Sequence, residues 1–235
     1  YLDLFPVVTL SSADRQIVFG PPHERRQFLD RVAFHLQPQT LAVLQRYRRA
    51  MEQRNALLVR GGEGTALEAF EHDLATLGAR IVAGRKAALQ HIEPALAEEL
   101  SRVGWAAGLP FLRYHSHDGS AAGDEATAVR QLRMELTRSR AADRRRGTTS
   151  VGPHRHELLI TVHGTHVREA LSAGQGKLLA VALRFAAMSL LERRRGERPS
   201  VVFDDIDTEL DSGVLRRVLR RLGEGSQVIV SSAHA

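Results

Sequence analysis

Two short stretches near the C-terminus constrain this chain more than any other feature. Residues 171–177 read Leu-Ser-Ala-Gly-Gln-Gly-Lys and lead into an apolar helical pattern. Residues 201–211 begin with an apolar run that ends in the carboxylates of Asp204 and Asp205. A helix N-terminus offers backbone N–H groups to a phosphate, and carboxylates after a strand can hold Mg²⁺ and orient a reacting water. In this order, about one helix apart, the two stretches indicate nucleotide hydrolysis.

Residues 1–235 contain no complete phosphate-binding loop. The stretch 174–177 resembles the end of the pattern G-x-x-x-x-G-K-[ST], but position 171 is Leu instead of Gly, and position 178 is Leu instead of Ser or Thr. The glycine-rich stretch 61–65 contains no Lys. A nucleotide site built from these residues alone would therefore be incomplete.

The composition limits the class of protein but does not select a function. The chain has 43% hydrophobic and only 5% aromatic residues, which predicts a core of Leu, Val and Ala. Its net charge of +6 comes almost entirely from arginine, since Lys86 and Lys177 are the only lysines. This charge permits nucleic-acid binding, but solvated helix faces explain it equally well. The absence of cysteine excludes disulfides and Cys-based zinc sites, and it fits a cytoplasmic protein.

The start of the chain does not resemble a targeting segment. It lacks Met, a basic start and the long apolar run of a signal peptide, so we expect the chain to be part of a longer one. No run approaches the roughly 20 apolar residues of a membrane span.

Hydrophobic spacing predicts a mostly helical first part, followed by alternating helices and strands. Strands are predicted at 5–10, 111–114, 158–162, 201–203 and 228–230, with a hairpin turn at 163–166. Helices are predicted at 23–60 (divided near Pro38), 66–103 (with Pro94 as a kink or restart), 126–145, 172–195 and 212–222. The alternation in the last part favours a parallel sheet.

The acidic residues near the C-terminus allow two interpretations. Asp204 would hold Mg²⁺ through water, and Asp205 would orient the attacking water, because ligands bind beyond the carboxyl ends of parallel strands. A capping or salt-bridging acid cluster is an equal alternative. A helix N-cap also explains Asp211. For the histidines at 154, 156, 163 and 166, hydrogen bonding is favoured over metal ligation, since Cys and a Glu-rich pattern are absent.

Taken together, these motifs resemble those of the RecF family, which belongs to the ABC-type ATPases. The similarity covers nearly the whole chain and is carried by residues 20–30, 53–58, 143–149 and 152–155. Residues 172–177 resemble the ABC signature motif, 201–205 resemble Walker B, and 208–211 resemble the D-loop.

The resemblance implies an α/β fold, namely the C-terminal part of an ABC-type P-loop ATPase head with a large, mostly helical lobe inserted. Residues 1–14 would form an edge of the ATPase core, and residues 15–148 would form the helical lobe. Residues 149–235 would form the part of the core that carries the signature, Walker B and D-loop motifs.

The resemblance also implies that ATP and Mg²⁺ are the cofactors. ABC heads dimerise around two ATP molecules, so Ser172, Gly174 and Gln175 would bind the nucleotide held by a second subunit. Asp204 would bind the metal of its own subunit's nucleotide and Asp205 would be catalytic. Asp211 would couple the two sites. Weak ATPase activity is expected only together with a Walker A segment and a second subunit.

The implied function is cytoplasmic recombinational DNA repair and replication. An ATP-dependent homodimer would bind duplex DNA, gaps and single-strand/duplex junctions, work with RecR and RecO, promote RecA loading, and involve no membrane. Two alternatives stay open. One is a RecF-like DNA-binding or scaffold protein without catalysis, and the other is an SMC-like structural head. Departures from the family pattern at Ala173, Gly176, Lys177 and residues 156–157 are the reason for the first alternative.

Overall fold

The computed structural model describes residues 7–62, 64–204, 212–223 and 227–231. The chain forms two compact units, each built from separate segments. The sheet unit comprises Tyr1–Arg25, Leu89–Arg113 and Leu159–Ala235, and the helical unit comprises Arg26–Ala88 and Tyr114–Leu158. The functional division into 1–14, 15–148 and 149–235 stays a prediction.

The elements follow the predicted order closely. The strands are β1 (Val7–Ser11), β2 (Pro110–His115), β3 (Glu157–Val162), β4 (Thr165–His166), β5 (Ser200–Asp204) and β6 (Val228–Val230). The helices are α1 (Gln16–Phe19), α2 (Pro22–Leu36), α3 (Thr40–Val59), α4 (Thr65–Val103), α5 (Glu125–Arg146), α6 (Val167–Ala170), α7 (Ala173–Arg195) and α8 (Ser212–Gly223). Short 3₁₀ turns cover Ser12–Arg15 and Pro153–Arg155.

The sheet unit contains the predicted parallel sheet. Its strand order is β1-β5-β6, and both pairings are parallel. Ser11 lies beside Asp204, and Phe203 lies beside Val230. The carboxyl ends of all three strands therefore meet at one edge of this sheet.

A second sheet has the strand order β2-β3-β4. Its strands β3 and β4 are antiparallel, with Val162 paired to Thr165. His163 and Gly164 form the two-residue turn with φ angles of 51° and 80°. Positive φ at both central positions is typical of the tightest hairpin turns, so the predicted hairpin is confirmed.

Two prolines have different effects on the helices. Pro38 lies between α2 and α3, as the sequence predicts. Pro94 lies inside α4, which continues through it from Thr65 to Val103. The helix therefore does not restart at Pro94, and a kink at this residue stays a prediction.

Helix α7 is the most deeply buried helix of the sheet unit. Every residue from Gly176 to Leu183 is buried. Within the described residues, α7 alone is long and apolar enough to cross a membrane, but 78% of its most apolar window is buried inside the structure. Burial of this extent is typical of the core helix of a globular protein.

Helices α3, α4 and α5 build the core of the helical unit. The apolar cluster consists of Tyr47, Ala50, Leu74, Ala75, Leu77, Ala79, Ile81, Ala128, Leu132 and Leu136. Gly78 lies against it, and a Cβ at that position would approach the Leu132 side chain to 3.0 Å. Small residues on α4 thus allow its neighbours to pack closely.

The helical unit also buries a charged network centred on Arg54. This side chain is completely buried and forms ion pairs with Asp143 at 2.9 Å and Glu71 at 3.1 Å. It also donates a hydrogen bond to the Thr149 hydroxyl. Arg140 pairs with Glu71 from the opposite side at 2.6 Å. The network ties α3, α4 and α5 together through charge as well as apolar packing.

Replacing Arg54 with Met should destabilise the protein strongly. The substitution leaves the buried carboxylate of Asp143 without its cation, and loss of one partner of a buried pair costs about 3–5 kcal/mol. The free energy of unfolding, measured by urea denaturation followed by circular dichroism, should fall by this amount.

Arg138→Met is the matched control. The Arg138 side chain is 81% exposed, and its nitrogen lies 3.8 Å from Glu135. Exposed pairs of this kind contribute between zero and about 1 kcal/mol. Equal losses of stability in the two variants would contradict a special role for the buried network.

Candidate functional site

The N-terminus of α7 presents the signature-like residues to solvent. Ser172 is the N-cap, with φ −70° and ψ 165°, and its hydroxyl accepts a hydrogen bond from the backbone N–H of Gln175. The Gln175 side chain accepts a 2.9 Å hydrogen bond from the Ser172 N–H in return. This capping box satisfies two of the four N–H groups that a helix start leaves without an intrahelical partner. The N–H groups of Ala173 and Gly174 remain available for an anion.

The following two residues of the motif point away from solvent. Gly176 and Lys177 are both buried. A Cβ on Gly176 would overlap ring carbons of Phe19 at the end of α1. The exposed part of the motif therefore consists of Ser172, Ala173 and Gln175, with Gly174 half-buried.

An ion pair joins the end of β1 to the middle of α7. Asp14 is buried and accepts hydrogen bonds from Nε and Nη2 of Arg184 at 2.8 and 2.6 Å. Its second carboxylate oxygen accepts a hydrogen bond from the Ser11 N–H. This contact fixes the position of α7 against the sheet.

Asp204 occupies the predicted place at the end of β5. Its side chain is exposed and accepts a hydrogen bond from the hydroxyl of Ser231, which follows β6. A hard cation such as Mg²⁺ prefers oxygen ligands of this kind, so an exposed carboxylate at this edge fits the predicted metal role. Asp205 and Asp211 lie outside the described residues.

The turn at residues 152–155 is part of the helical unit. Gly152 has a φ of 126°, and a Cβ there would overlap the Tyr47 hydroxyl. His154 Nδ1 lies 2.8 Å from the Tyr47 oxygen, and Nε2 lies 3.0 Å from the carbonyl of Thr149. Because a carbonyl only accepts, Nε2 carries the proton and the Tyr47 hydroxyl donates to Nδ1. His154 thus stabilises the turn through two hydrogen bonds. Arg155 is the exposed cation of the turn.

Burial lowers the pKa of His154 to about 4. Desolvation is the largest cause, the hydrogen bond to the Thr149 carbonyl raises this pKa and so opposes it, and the neighbouring cations Arg155 and Arg26 lower it further. The imidazole is therefore neutral at pH 7.

A second buried histidine joins a network that sequence patterns did not reveal. His156 lies 2.8 Å from both the Asp118 carboxylate and the Tyr114 hydroxyl. Burial raises the pKa of Asp118, but the hydrogen bonds from His156 and Ser120 outweigh it and bring this pKa down to about 2. Arg85 completes the network by pairing with Asp30 at 2.7 Å and donating to the Pro153 carbonyl. Within the described residues, no group of three or more His, Asp or Glu side chains could hold a metal ion.

The similarity to known proteins is strong over the whole chain. The protein "DNA replication and repair protein RecF" of Stenotrophomonas maltophilia (strain R551-3) is 36% identical over 231 residues, which cover 96% of this chain and 60% of that protein. The protein of the same name from Myxococcus xanthus (strain DK1622) is 32% identical, with coverage of 96% and 61%. The chain is similar to these RecF proteins over nearly its whole length.

The solved structures agree with this similarity to RecF proteins. The structure of the recombination mediator protein RecF-ATP in the RecFOR pathway has a TM-score of 0.87 and 27% identity, covering 99% of this chain and 63% of that one. This match confirms the predicted α/β fold of an ABC-type ATPase head with a large helical lobe. No protein-family model matches the sequence. The chain spans about three fifths of the length of its RecF relatives.

Gly176→Ala should disturb the start of helix α7. The new methyl group collides with Phe19, and overpacking of this kind costs about 1–3 kcal/mol. The free energy of unfolding should fall by that amount, and a second substitution, Phe19→Leu, should restore part of it.

Gly84→Ala is the corresponding control. Gly84 also lies inside a helix, but a Cβ there meets only the Ala33 methyl, at 3.7 Å. This variant should be neutral or more stable, by up to about 1 kcal/mol, because Ala is the better helix former. A Gly176→Ala variant as stable as Gly84→Ala would disprove the close contact with Phe19.

Acid should destabilise the protein through His154. Its pKa is about 4 in the folded state against 6.5 in the unfolded chain, so the unfolded state binds the proton more readily. The stabilising effect of keeping the imidazole neutral is complete above pH 6.5 and is lost as the pH falls toward 4. Between pH 7 and pH 5 the loss should be roughly 1–2 kcal/mol.

Urea denaturation at both pH values tests this expectation. His154→Gln keeps an N–H donor and an acceptor but has no proton to bind, so its stability should change less between pH 7 and pH 5 than that of the unaltered protein. An identical pH dependence in the two proteins would contradict the assignment to His154.

Proposed function

We propose that the full-length protein is a RecF-like, ATP-dependent DNA-binding protein of recombinational repair and replication. The observation that carries this proposal is the exposed capping box at Ser172, on a helix whose middle part is buried and held against the parallel sheet. An ABC-type signature needs an exposed helix N-terminus of this kind, because the phosphate it contacts belongs to a nucleotide on another subunit.

The chemistry of the turn supports a γ-phosphate contact. The N–H groups of Ala173 and Gly174 are available, and the partial positive charge of the α7 N-terminus favours an anion. The Ser172 oxygen accepts from Gln175, but its own proton is still available to donate to a phosphate oxygen. Ser172, Gly174 and Gln175 would thus bind ATP across an ATP-dependent homodimer.

The acidic residues serve the nucleotide of their own subunit in this proposal. Asp204 would hold Mg²⁺ through water, and the bound ion would offset the negative charge of the phosphates. Asp205 would orient and polarise the attacking water, and Asp211 would couple the two sites. Walker A residues do not occur in residues 1–235, so hydrolysis requires both that segment and a second subunit.

The proposed partners follow from the RecF relatives. One solved relative is described as a recombination mediator in the RecFOR pathway, and the curated relatives are named for DNA replication and repair. We infer that the dimer binds duplex DNA and single-strand/duplex junctions, cooperates with RecR and RecO, and promotes RecA loading in the cytoplasm. The arginine-rich composition suits contacts to phosphates.

Asp205→Asn in the full-length protein tests the proposal. The amide cannot polarise water as a carboxylate does, so ATP turnover should fall at least about 100-fold, within the usual range for an acid–base group. ATP binding and ATP-dependent DNA binding should persist. Phosphate release and fluorescence anisotropy of a labelled junction DNA measure the two properties.

Asp73→Asn is the control, because Asp73 is an exposed residue of α4. It should leave both properties unchanged. Unaltered turnover in Asp205→Asn would remove the catalytic role of Asp205. Salt-sensitive DNA binding without any ATP dependence in the unaltered protein would favour the alternative of a catalytically degenerate scaffold.

A further inference from the structure

Three helices of the sheet unit end around one arginine-rich cavity. The cavity has a volume of about 510 Å³. Its lining comes from the last turns of α4, α7 and α8 and from the segment before β5, and it consists of Arg102, Ser189, Glu192, Arg193, Arg198, Arg217, Arg220 and Arg221. We call this feature the arginine cavity. Among the residues that the structure describes, its lining includes none of those assigned to the nucleotide site.

The base of the arginine cavity is a rigid, paired framework. Glu99 is fully buried and accepts hydrogen bonds from Arg221 at 3.1 Å and from Ser189 at 2.8 Å. Arg102 donates to the same carboxylate at 2.7 Å. Arg221 also stacks over the Phe185 ring, 5.7 Å from its centroid. Arg221 and Arg102 are therefore held in place by a charge that the protein itself supplies.

The remaining arginines are exposed and less fully paired. Arg217 donates to the Val103 carbonyl at 2.9 Å, and Arg193 pairs with Glu98 at 2.7 Å. Arg198 and Arg220 make no hydrogen bond or ion pair with any residue that the structure describes. Two guanidinium groups at the opening are thus available for a ligand.

The local charges do not balance. Within the described residues, six guanidinium groups face the carboxylates of Glu98, Glu99 and Glu192. Three helix C-termini add a partial negative charge of about one half each. The arginine cavity keeps a surplus of about one to two positive charges after these compensations. A group with one or two negative charges would neutralise this surplus.

The shape and chemistry of the lining narrow the class of ligand. Guanidinium groups bind phosphate oxygens through paired N–H donors, and several groups around a concavity suit a tetrahedral anion. The part of the lining that the structure describes contains no aromatic or amide side chain that could recognise a base. Recognition would therefore depend on the phosphate itself.

We propose that the arginine cavity is a second anion site, which binds a phosphate group on the sheet unit. The phosphate can come from a small phosphorylated molecule or from a nucleic-acid strand. Arg198 and Arg220 contact it directly, and Arg221 supplies a fixed charge from below. This site does not depend on the proposed ATPase function.

Titration calorimetry of the full-length protein with inorganic pyrophosphate at constant ionic strength tests the proposal. The double substitution Arg198→Gln and Arg220→Gln should weaken one binding event about tenfold or more, since each charge-assisted hydrogen bond contributes strongly. Arg138→Gln removes an exposed arginine of α5 and should leave this event unchanged. Pyrophosphate binding at a separate nucleotide site would be the same in all three proteins, so it does not affect the difference between them.

Chemical modification of arginines in the unaltered protein gives a second test, which does not depend on whether the variants fold. Pyrophosphate should protect Arg198 and Arg220 of the unaltered protein from phenylglyoxal, as followed by mass spectrometry, and should leave Arg138 reactive. Equal affinity in all three proteins, together with equal reactivity with and without pyrophosphate, would overturn the proposal.

Two further ligands distinguish the source of the phosphate. Thymidine 5′-monophosphate carries a dianionic monoester, whereas an oligothymidine without terminal phosphate carries only diesters. Loss of monophosphate binding in the double variant identifies a small molecule or a strand end, and loss of oligothymidine binding identifies a strand backbone. If only a polyglutamate peptide showed variant-sensitive binding, the site would be for an acidic protein and the phosphate proposal would be wrong.

Discussion

The ion pair between Asp14 and Arg184 joins the carboxyl edge of the parallel sheet to helix α7. Asp14 follows β1 directly, and its two oxygens bind the arginine fork and the Ser11 N–H. Because both partners are largely buried, removing either one would leave a charge without compensation. The pair therefore fixes the register between the helix and the strands. The exposed turn at Ser172 and the carboxylate of Asp204 both take their positions from this arrangement, although each would serve a different nucleotide.

Arginine has two separate functions in this protein, and the net charge does not distinguish them. Arg54, Arg85 and Arg184 neutralise buried carboxylates, so their charge is not available to a partner. Arg198 and Arg220 lie at the surface. The burial of Arg221 lowers its pKa, but hydrogen bonds and charge from Glu99 and Glu192 more than compensate, and the net effect is a raised pKa. Part of the net positive charge is therefore neutralised inside the protein and cannot meet a nucleic acid or a phosphate.

Local sequence signals predicted most of the secondary structure. Alternating and helical spacing placed the strands and long helices, and Ser172 marked the start of α7 through its capping box. The buried polar networks could not be predicted in this way, because their members are far apart in sequence. Arg54 has the sequence context of an ordinary exposed arginine, and only the fold brings Asp143 to it. The contact between Gly176 and Phe19 is likewise a matter of tertiary packing. The roles of Asp205 and Asp211 stay predictions, since these residues lie outside the described part.

The pairing of β1 with β5 has a consequence for the order in which the chain can fold on the ribosome. Val7 pairs with Ser200, so β1 cannot pair with β5 until the chain has been synthesised beyond residue 200. Both segments of the helical unit, by contrast, are complete by Leu158. Vectorial synthesis therefore lets the helical unit form before β1 can pair with β5.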